Sequence, residues 1–453
     1  MAKFLKESTI DSNVEKLFLW HQNKGVIKRL IPPWEDVEVL KEPDNLINSE
    51  AIMLVRPLPF LTFRWHAKHL DFIPYKQFKD IQLTGPFRKW EHTHKFIEIE
   101  QNRSKLIDEI EYEPMFKPIS NIFTAEMITK RLHSTFNYRH TITKNDLKLL
   151  EKYPPKEKYK IAISGSSGLI GKALIPLLQT HGHEIVRIVR QKTEKDDEIT
   201  FDIKEEKFIG NTNNIDIVIN LAGKPIGDSR WTLERKKEFE SSRIAFTRAL
   251  VNALCKLDNK PKRLINASAI GFYGNSKEIL TETSPKGDLY ISHLCNQWEE
   301  ASKNDNFETT ILRIGVVLSP TGGALKKLIE LGKFNLAAIL GTGDQYISWI
   351  TIDDLIYSIV HIIYNDLTGT FNLTAPEPIK QKDLIKIISN KLNRLNFLSL
   401  NDKIIKLIYG EMADEILLAN NYVLPEKLIN TGFQFFFDKI DSALNHLMGC
   451  ENG

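Results

Sequence analysis

The segment Lys160-Ile-Ala-Ile-Ser-Gly165-Ser-Ser-Gly168-Leu-Ile-Gly171-Lys-Ala-Leu174 runs an apolar strand pattern into three glycines spaced three apart, and then into a helix. Gly165 permits a tight strand-to-helix turn, Gly168 lets the backbone approach a pyrophosphate, and Gly171 lets the helix pack on the strand. The first-turn N–H groups then face the phosphates, so Gly165, Ser166, Ser167, Gly168, Leu169, Ile170 and Gly171 form the expected phosphate-binding set. Glycine-rich turns also occur without a ligand, and the flanking pattern decides the reading. Ile161 to Ile163 is apolar, the helix carries Leu169, Ile170, Leu174, Leu177 and Leu178 at helical spacing, and Gly182 ends it before a second strand, Glu184 to Val189. This is the context of a dinucleotide-binding turn.

The chain has 453 residues, enough for two to four domains and more than one core. Its 61 Lys+Arg and 58 Asp+Glu leave a net charge of +3, which gives no general attraction to nucleic acid or to an acidic membrane. Cys255, Cys295 and Cys450 are scattered, odd in number and without a CxxC pair, so neither a disulfide framework nor a cysteine-rich zinc site is expected. No apolar stretch reaches the length of a membrane span and no secretory leader is visible, so a reducing, cytoplasmic setting without membrane insertion is expected.

A charged, proline-paired segment, Glu151-Lys-Tyr-Pro154-Pro155-Lys-Glu-Lys158, precedes the dinucleotide strand and marks a domain boundary. Before it, residues 1–150 alternate in the manner of an antiparallel sheet, as in Lys89 to Glu100 and Lys105 to Tyr112, with helices expected near Ser12 to Gln22 and Ala125 to Leu150. After it, residues 158–378 alternate strand and helix: Ile215 to Leu221, Leu233 to Leu257, Arg263 to Ala267, Leu294 to Ser302 and Thr309 to Ile314. Alternation predicts an α/β, doubly wound parallel sheet. Residues 379–453 become mainly helical and are expected to form a small C-terminal unit.

Asn220-Leu-Ala-Gly223 closes a buried strand, and Ala267-Ser-Ala-Ile-Gly-Phe-Tyr-Gly274 follows another. With Arg230-Trp231, Arg243, Trp298-Glu299, Arg313-Ile-Gly, Gly341-Thr-Gly-Asp-Gln-Tyr346 and Asp353-Asp354 in order, residues 159–447 resemble an atypical epimerase-like family of the short-chain dehydrogenase/reductase superfamily, with its own C-terminal helical domain. The resemblance implies a Rossmann fold, with Leu221, Ala222 and Gly223 beside the cofactor and Arg243 and Leu318 further along the cleft. Ile31-Pro-Pro-Trp34-Glu and Gly85-Pro-Phe-Arg-Lys-Trp90-Glu-His-Thr-His94 resemble the helix-grip, START/polyketide-cyclase-like fold, which implies an α+β domain holding an apolar ligand.

After the second strand stands Val189-Arg190-Gln-Lys192, with no acid to meet a ribose 2′-OH, so NADP is favoured over NAD. Arg190 as a solvated strand end is the plainer alternative. The superfamily's Tyr-x-x-x-Lys dyad is missing: its slots fall on Ile291 and Cys295, and Tyr290 is one residue off with Leu294 four beyond it. Ser268 and Tyr273 are then the candidate catalytic hydroxyls, against a reading in which one is a hydrogen-bonding strand end and the other a packed aromatic. Cys295 has no basic neighbour at helical spacing and reads as a buried thiol. His66, His69, His92 and His94 suggest a metal, but no carboxylate or cysteine completes a recognised spacing, so they are read as polar histidines on a sheet face. Two functions remain open: an NADP-dependent oxidoreductase or epimerase-like enzyme acting on a small molecule, and a non-catalytic NADP-binding or redox-sensing protein.

Overall fold

The period-two pattern before residue 115 does form strands. The computed structural model describes residues 1–43, 45–58, 60–115, 121–154, 157–395 and 398–450. The chain divides into two compact units: Met1–Lys156 with Pro176–Gly182 and His446–Gly453, and Glu157–Ile175 with His183–Asn445. Pro155 and Lys156 of the expected boundary lie outside the described residues.

In the first unit, β1 (Ala2–Ile10), β2 (Val37–Lys41), β3 (Glu50–Leu58), β4 (Leu61–Ile73), β5 (Gln77–Thr84), β6 (Phe87–Glu100) and β7 (Arg103–Pro114) form one antiparallel sheet in the order β1-β7-β6-β5-β4-β3-β2. Helix α1 (Val14–Trp20) starts at Asn13, whose side chain accepts the Lys16 N–H at 2.8 Å; a short α2 (Val26–Arg29) follows. The 32-residue α3 (Asn121–Lys152) packs Leu132 and Phe136 against Phe4, Trp90, Ile110 and Tyr112 of the sheet. A second apolar cluster joins Leu17, Phe18 and Trp20 to Phe78, Phe96 and Leu106. Arg29 and Asp146 add a buried two-bond ion pair, at 2.9 and 2.7 Å.

The second unit is built on eight strands. In spatial order they are β11 (Lys207–Ile209), β10 (Glu198–Asp202), β9 (Glu184–Val189), β8 (Lys160–Ser164), β12 (Ile217–Asn220), β13 (Arg263–Ala269), Glu308–Ile314 and Gly369–Leu373. All neighbours pair in parallel except β10 with β11. This is the Rossmann order, and it reverses direction between β8 and β12, where open α/β sheets bind their ligands. Ile161, Ala162 and Ile163 of β8 are completely buried, as a strand covered on both faces requires. Helix α4 (Leu169–Thr180) follows the glycine turn.

Residues beyond 379 are mainly helical, at Gln381–Lys391, Asp402–Tyr409, Glu426–Asn430 and Ile440–Met448. They also send three two-residue strands back: Ile379–Lys380 to Tyr346–Ile347, Ser399–Leu400 to Ile339–Leu340, and Tyr422–Val423 to Ile279–Leu280. Those ladders tie the segment through Asn445 into the same compact unit as the sheet. No helix among the described residues is long and apolar enough to cross a membrane.

Candidate functional site

Each glycine of the turn has a distinct steric reason. Gly165 sits at φ +71°, and a Cβ there would lie 2.5 Å from the Leu221 carbonyl oxygen. A Cβ on Gly171 would come within 2.6 Å of the Gly165 carbonyl oxygen, so helix and turn touch. Gly168 differs: its Cβ would meet only that same oxygen, at 3.1 Å, and would otherwise enter open space. The Gly168 N–H is used inside the turn, donating to Gly165 at 3.0 Å. The amides of Leu169 and Ile170 open α4, where the first turn has no partners of its own.

The strand ends beside the turn are fixed by a buried polar chain. Ser164 Oγ donates to Asn220 Oδ1 at 2.6 Å, and Asn220 Nδ2 donates to Asn266 Oδ1 at 2.7 Å and Thr247 Oγ1 at 2.9 Å. Trp298 Nε1 donates to the same threonine at 3.0 Å. Asn220 and Trp298 stood out in the sequence; Asn266 meets Asn220 through the pairing of β12 and β13, and Thr247 and Trp298 reach them from the helices Phe246–Cys255 and Tyr290–Ala301. This chain holds the Leu221–Gly223 loop against Gly165.

Arg243 reaches the same loop. Its helix is not continuous: Leu233–Glu240 and Phe246–Cys255 are α-helical, and Ser241–Ala245 between them is a π turn. Such turns re-aim a side chain by one inserted residue. Arg243 is 8% exposed, lies over the Trp298 ring at 5.1 Å, and donates through Nη2 to the Lys224 carbonyl at 2.8 Å. Its guanidinium carbon would be 3.2 Å from a Cβ on Gly223. Nη1 is buried and has no hydrogen-bond partner, and burial pushes the guanidinium pKa down to about 10. Arg190 is exposed just past the end of β9. Leu318 is completely buried in a short ladder with Trp349–Thr351.

Ser268 and Tyr273 are brought into one network. Ser268 Oγ donates to Glu299 Oε1 at 2.7 Å, and Arg313 clamps that carboxylate through Nε at 2.9 Å and Nη2 at 2.8 Å. Arg313 Nη1 donates to Tyr273 Oη at 3.0 Å, and Tyr273 donates to Asn372 Oδ1 at 2.7 Å. Ser268 and Tyr273 are 3% and 2% exposed, so both hydroxyls are closed into the interior. Glu299 and Arg313 belong to the quoted motifs, yet their pairing joins a helix to a strand and no local spacing displays it. Cys295 is buried as expected, and burial pushes its thiol up to about 12. With Ile291 it packs against Gly271, filling the dyad positions with apolar groups.

The histidines depart from the sheet-face reading. His66 alone pairs at a surface, with Glu50 at 3.0 Å. His69 is buried, and His92 and His94 point into the first unit, where Asp80 and Asp108 meet them. The missing carboxylates come from neighbouring strands, which sequence spacing along one strand does not display.

A family model described as the NAD dependent epimerase/dehydratase family matches residues 161–373, and the Domain of unknown function DUF1731 matches 402–447. An epimerase family protein of Mycobacterium tuberculosis is 35% identical over 292 residues, 63% of this chain and 96% of its own length. The human epimerase family protein SDR39U1, whose structure was solved with NADPH, matches at TM-score 0.59 and 28% identity, over 65% of this chain and 99% of its own. A nucleoside-diphosphate sugar epimerase from Corynebacterium glutamicum matches at TM-score 0.81 and 27% identity, over 99% of this chain and 90% of its own. Glycine turn, strand order and these matches agree: the chain belongs to the NAD dependent epimerase/dehydratase family.

Proposed function

We propose that this protein binds NADP across the β8/β12 switch point and uses it in oxidoreductase or epimerase-like chemistry on a small molecule. The observation that carries the proposal is Arg243: a buried guanidinium with an unpartnered Nη1, beside Gly223 and one loop from the glycine turn, fits an anionic or carbonyl oxygen of a bound dinucleotide. The human relative solved with NADPH supports the same cofactor. Gly165, Ser166, Ser167, Gly168, Leu169, Ile170 and Gly171 would hold the pyrophosphate, Leu221, Ala222 and Gly223 the adenosine side, and Arg190 the 2′-phosphate. When bound, the nicotinamide supplies or accepts hydride.

The closed Ser268–Glu299–Arg313–Tyr273 network favours a second reading, a protein that binds NADP without turnover. Ser268 and Tyr273 remain the hydroxyls proposed for proton transfer in the first. Titrating NADPH and NADH into the unmodified protein and Arg190→Asp tests the cofactor: NADPH should bind about tenfold tighter or more, and the variant should lose that preference at a cost of about 1.5–3 kcal/mol for a charged contact. Equal NADH affinity in the unmodified protein removes the Arg190 assignment. Oxidation of bound NADPH by nucleotide-sugar or other carbonyl substrates in the unmodified protein separates the two readings, and its loss in Ser268→Ala/Tyr273→Phe with cofactor binding kept would support the two hydroxyls.

We further propose three domains, 1–150, 158–378 and 379–453, the first of helix-grip type. Its strand order and long final helix support this, as does a Corynebacterium match that spans nearly the whole chain. We assign it no apolar ligand: Phe78, Phe96, Trp90 and Phe136 are buried in its two apolar clusters, against one another and their neighbours.

A further inference from the structure

The interior of the first unit holds a polar group that neither apolar cluster absorbs. Register sets His92 opposite Asp80 and His94 opposite Asp108, while α3 brings His140 down onto the sheet. The two strand histidines use their rings in the same way. Toward Asp80 Oδ1 they present His92 Nδ1 and His94 Nε2, each at 3.3 Å. Toward Asp108 Oδ1 they turn the opposite nitrogens, His92 Nε2 at 2.8 Å and His94 Nδ1 at 2.6 Å. Asp108 Oδ2 meets His140 Nε2 at 2.6 Å.

We propose that Asp80, His92 and His94 form a binding site for a divalent transition cation of the zinc class, with Asp108 as the carboxylate that orients both imidazoles. The donor atoms of the three residues lie within 4.8 Å of one another. Ligands at about 2.0–2.1 Å in a tetrahedron stand roughly 3.3 Å apart, the separation both histidines have from Asp80. A metal-bound imidazole nearly always gives its other nitrogen to a carboxylate or carbonyl; Asp108 fills that role for His92 at 2.8 Å and lies 2.6 Å from His94 Nδ1. Charge points the same way: two carboxylates in the interior need two positive charges, and one divalent ion with neutral imidazoles supplies them as well as two added protons do. Three protein ligands leave a fourth position open. Asp80 and His94 side chains retain 16% and 12% exposure, which provides a route for the ion.

Full-length protein stripped with a chelator is titrated with Co2+ and Zn2+. One ion per chain is expected, with the intense visible absorption of four-coordinate Co2+ that Zn2+ abolishes. Asp80→Asn and His94→Gln should each weaken binding tenfold or more, while His66→Gln, at the surface, should not. Absence of stoichiometric binding, or binding unchanged in both interior variants, overturns the proposal. Should a variant lose its near-ultraviolet circular dichroism, the imidazole nitrogen resonances of the unmodified chain decide: Zn2+ must shift those of His92 and His94, and binding that shifts neither overturns the assignment.

Discussion

Two buried polar assemblies, one in each unit, solve the same electrostatic problem differently. In the second unit, Glu299 and Arg313 cancel each other's charge, and Ser268, Tyr273 and Asn372 complete the hydrogen bonds around them. In the first, Asp80 and Asp108 face His92, His94 and His140, and the charge balance depends on what the imidazoles carry. The first type of assembly is complete in itself. The second is exchangeable, because protons and a cation compete for the same nitrogens. A closed network locks strand ends in place; an exchangeable one can report on its surroundings.

The sharpest way to break this comparison is to open the closed network. Arg313→Met leaves Glu299 buried without its cation and should cost about 3–5 kcal/mol, read as a lower urea midpoint, with Glu299→Leu/Arg313→Met regaining most of it. If the single variant melts like the unmodified protein, the network is not the closed unit described. Arg243→Met probes a cation of a third kind, buried but with one donor open. It should weaken NADPH binding by about 1.5–3 kcal/mol in a calorimetric titration while leaving the melting curve nearly unchanged. A large stability loss with intact binding would make Arg243 part of the scaffold instead.

A last test concerns a buried carboxyl, Asp354, that has no ion-pair partner among the described residues. Asp354 accepts N–H bonds from Phe436 and Phe437 at 2.8 and 3.0 Å, yet burial pushes its pKa up to about 7. The folded state therefore binds this proton more tightly than the unfolded chain does. Its contribution is complete below the ordinary carboxylate range near pH 4 and is lost as pH rises through about 7. The stability of Asp354→Asn relative to the unmodified protein should accordingly improve from pH 4 to pH 8. A difference that stays flat or falls over that window would show that folding does not raise this carboxyl's pKa.

What could be read from the chain follows the range of the interactions. The glycine turn, the burial of Ile161 to Ile163 and the shared strand face of His92 and His94 are local or period-two features, and each is visible within a dozen residues. Asp80 opposite His92 depends on the register of β5 against β6, and Asp108 on β7; no single strand contains that information. Arg243 lay within a stretch of uninterrupted helical spacing, and the π turn that aims it is set by tertiary packing against Trp298 and the Gly223 loop. Sequence cannot assign roles to Ser268 and Tyr273, because a hydroxyl's role depends on whether its neighbours already use it.

The three short ladders formed by the final segment impose an order in time. Ile279–Leu280 waits for Tyr422–Val423, more than a hundred residues further along, and Ile339–Leu340 and Tyr346–Ile347 wait for Ser399–Leu400 and Ile379–Lys380. At about 5–20 residues per second, a ribosome leaves the first of these edges unpaired for on the order of ten seconds or more. Throughout that interval the nascent chain exposes backbone that in the finished fold is covered only by residues made later, so its yield in the cell should follow the supply of chaperones more closely than the stability of the finished fold would suggest.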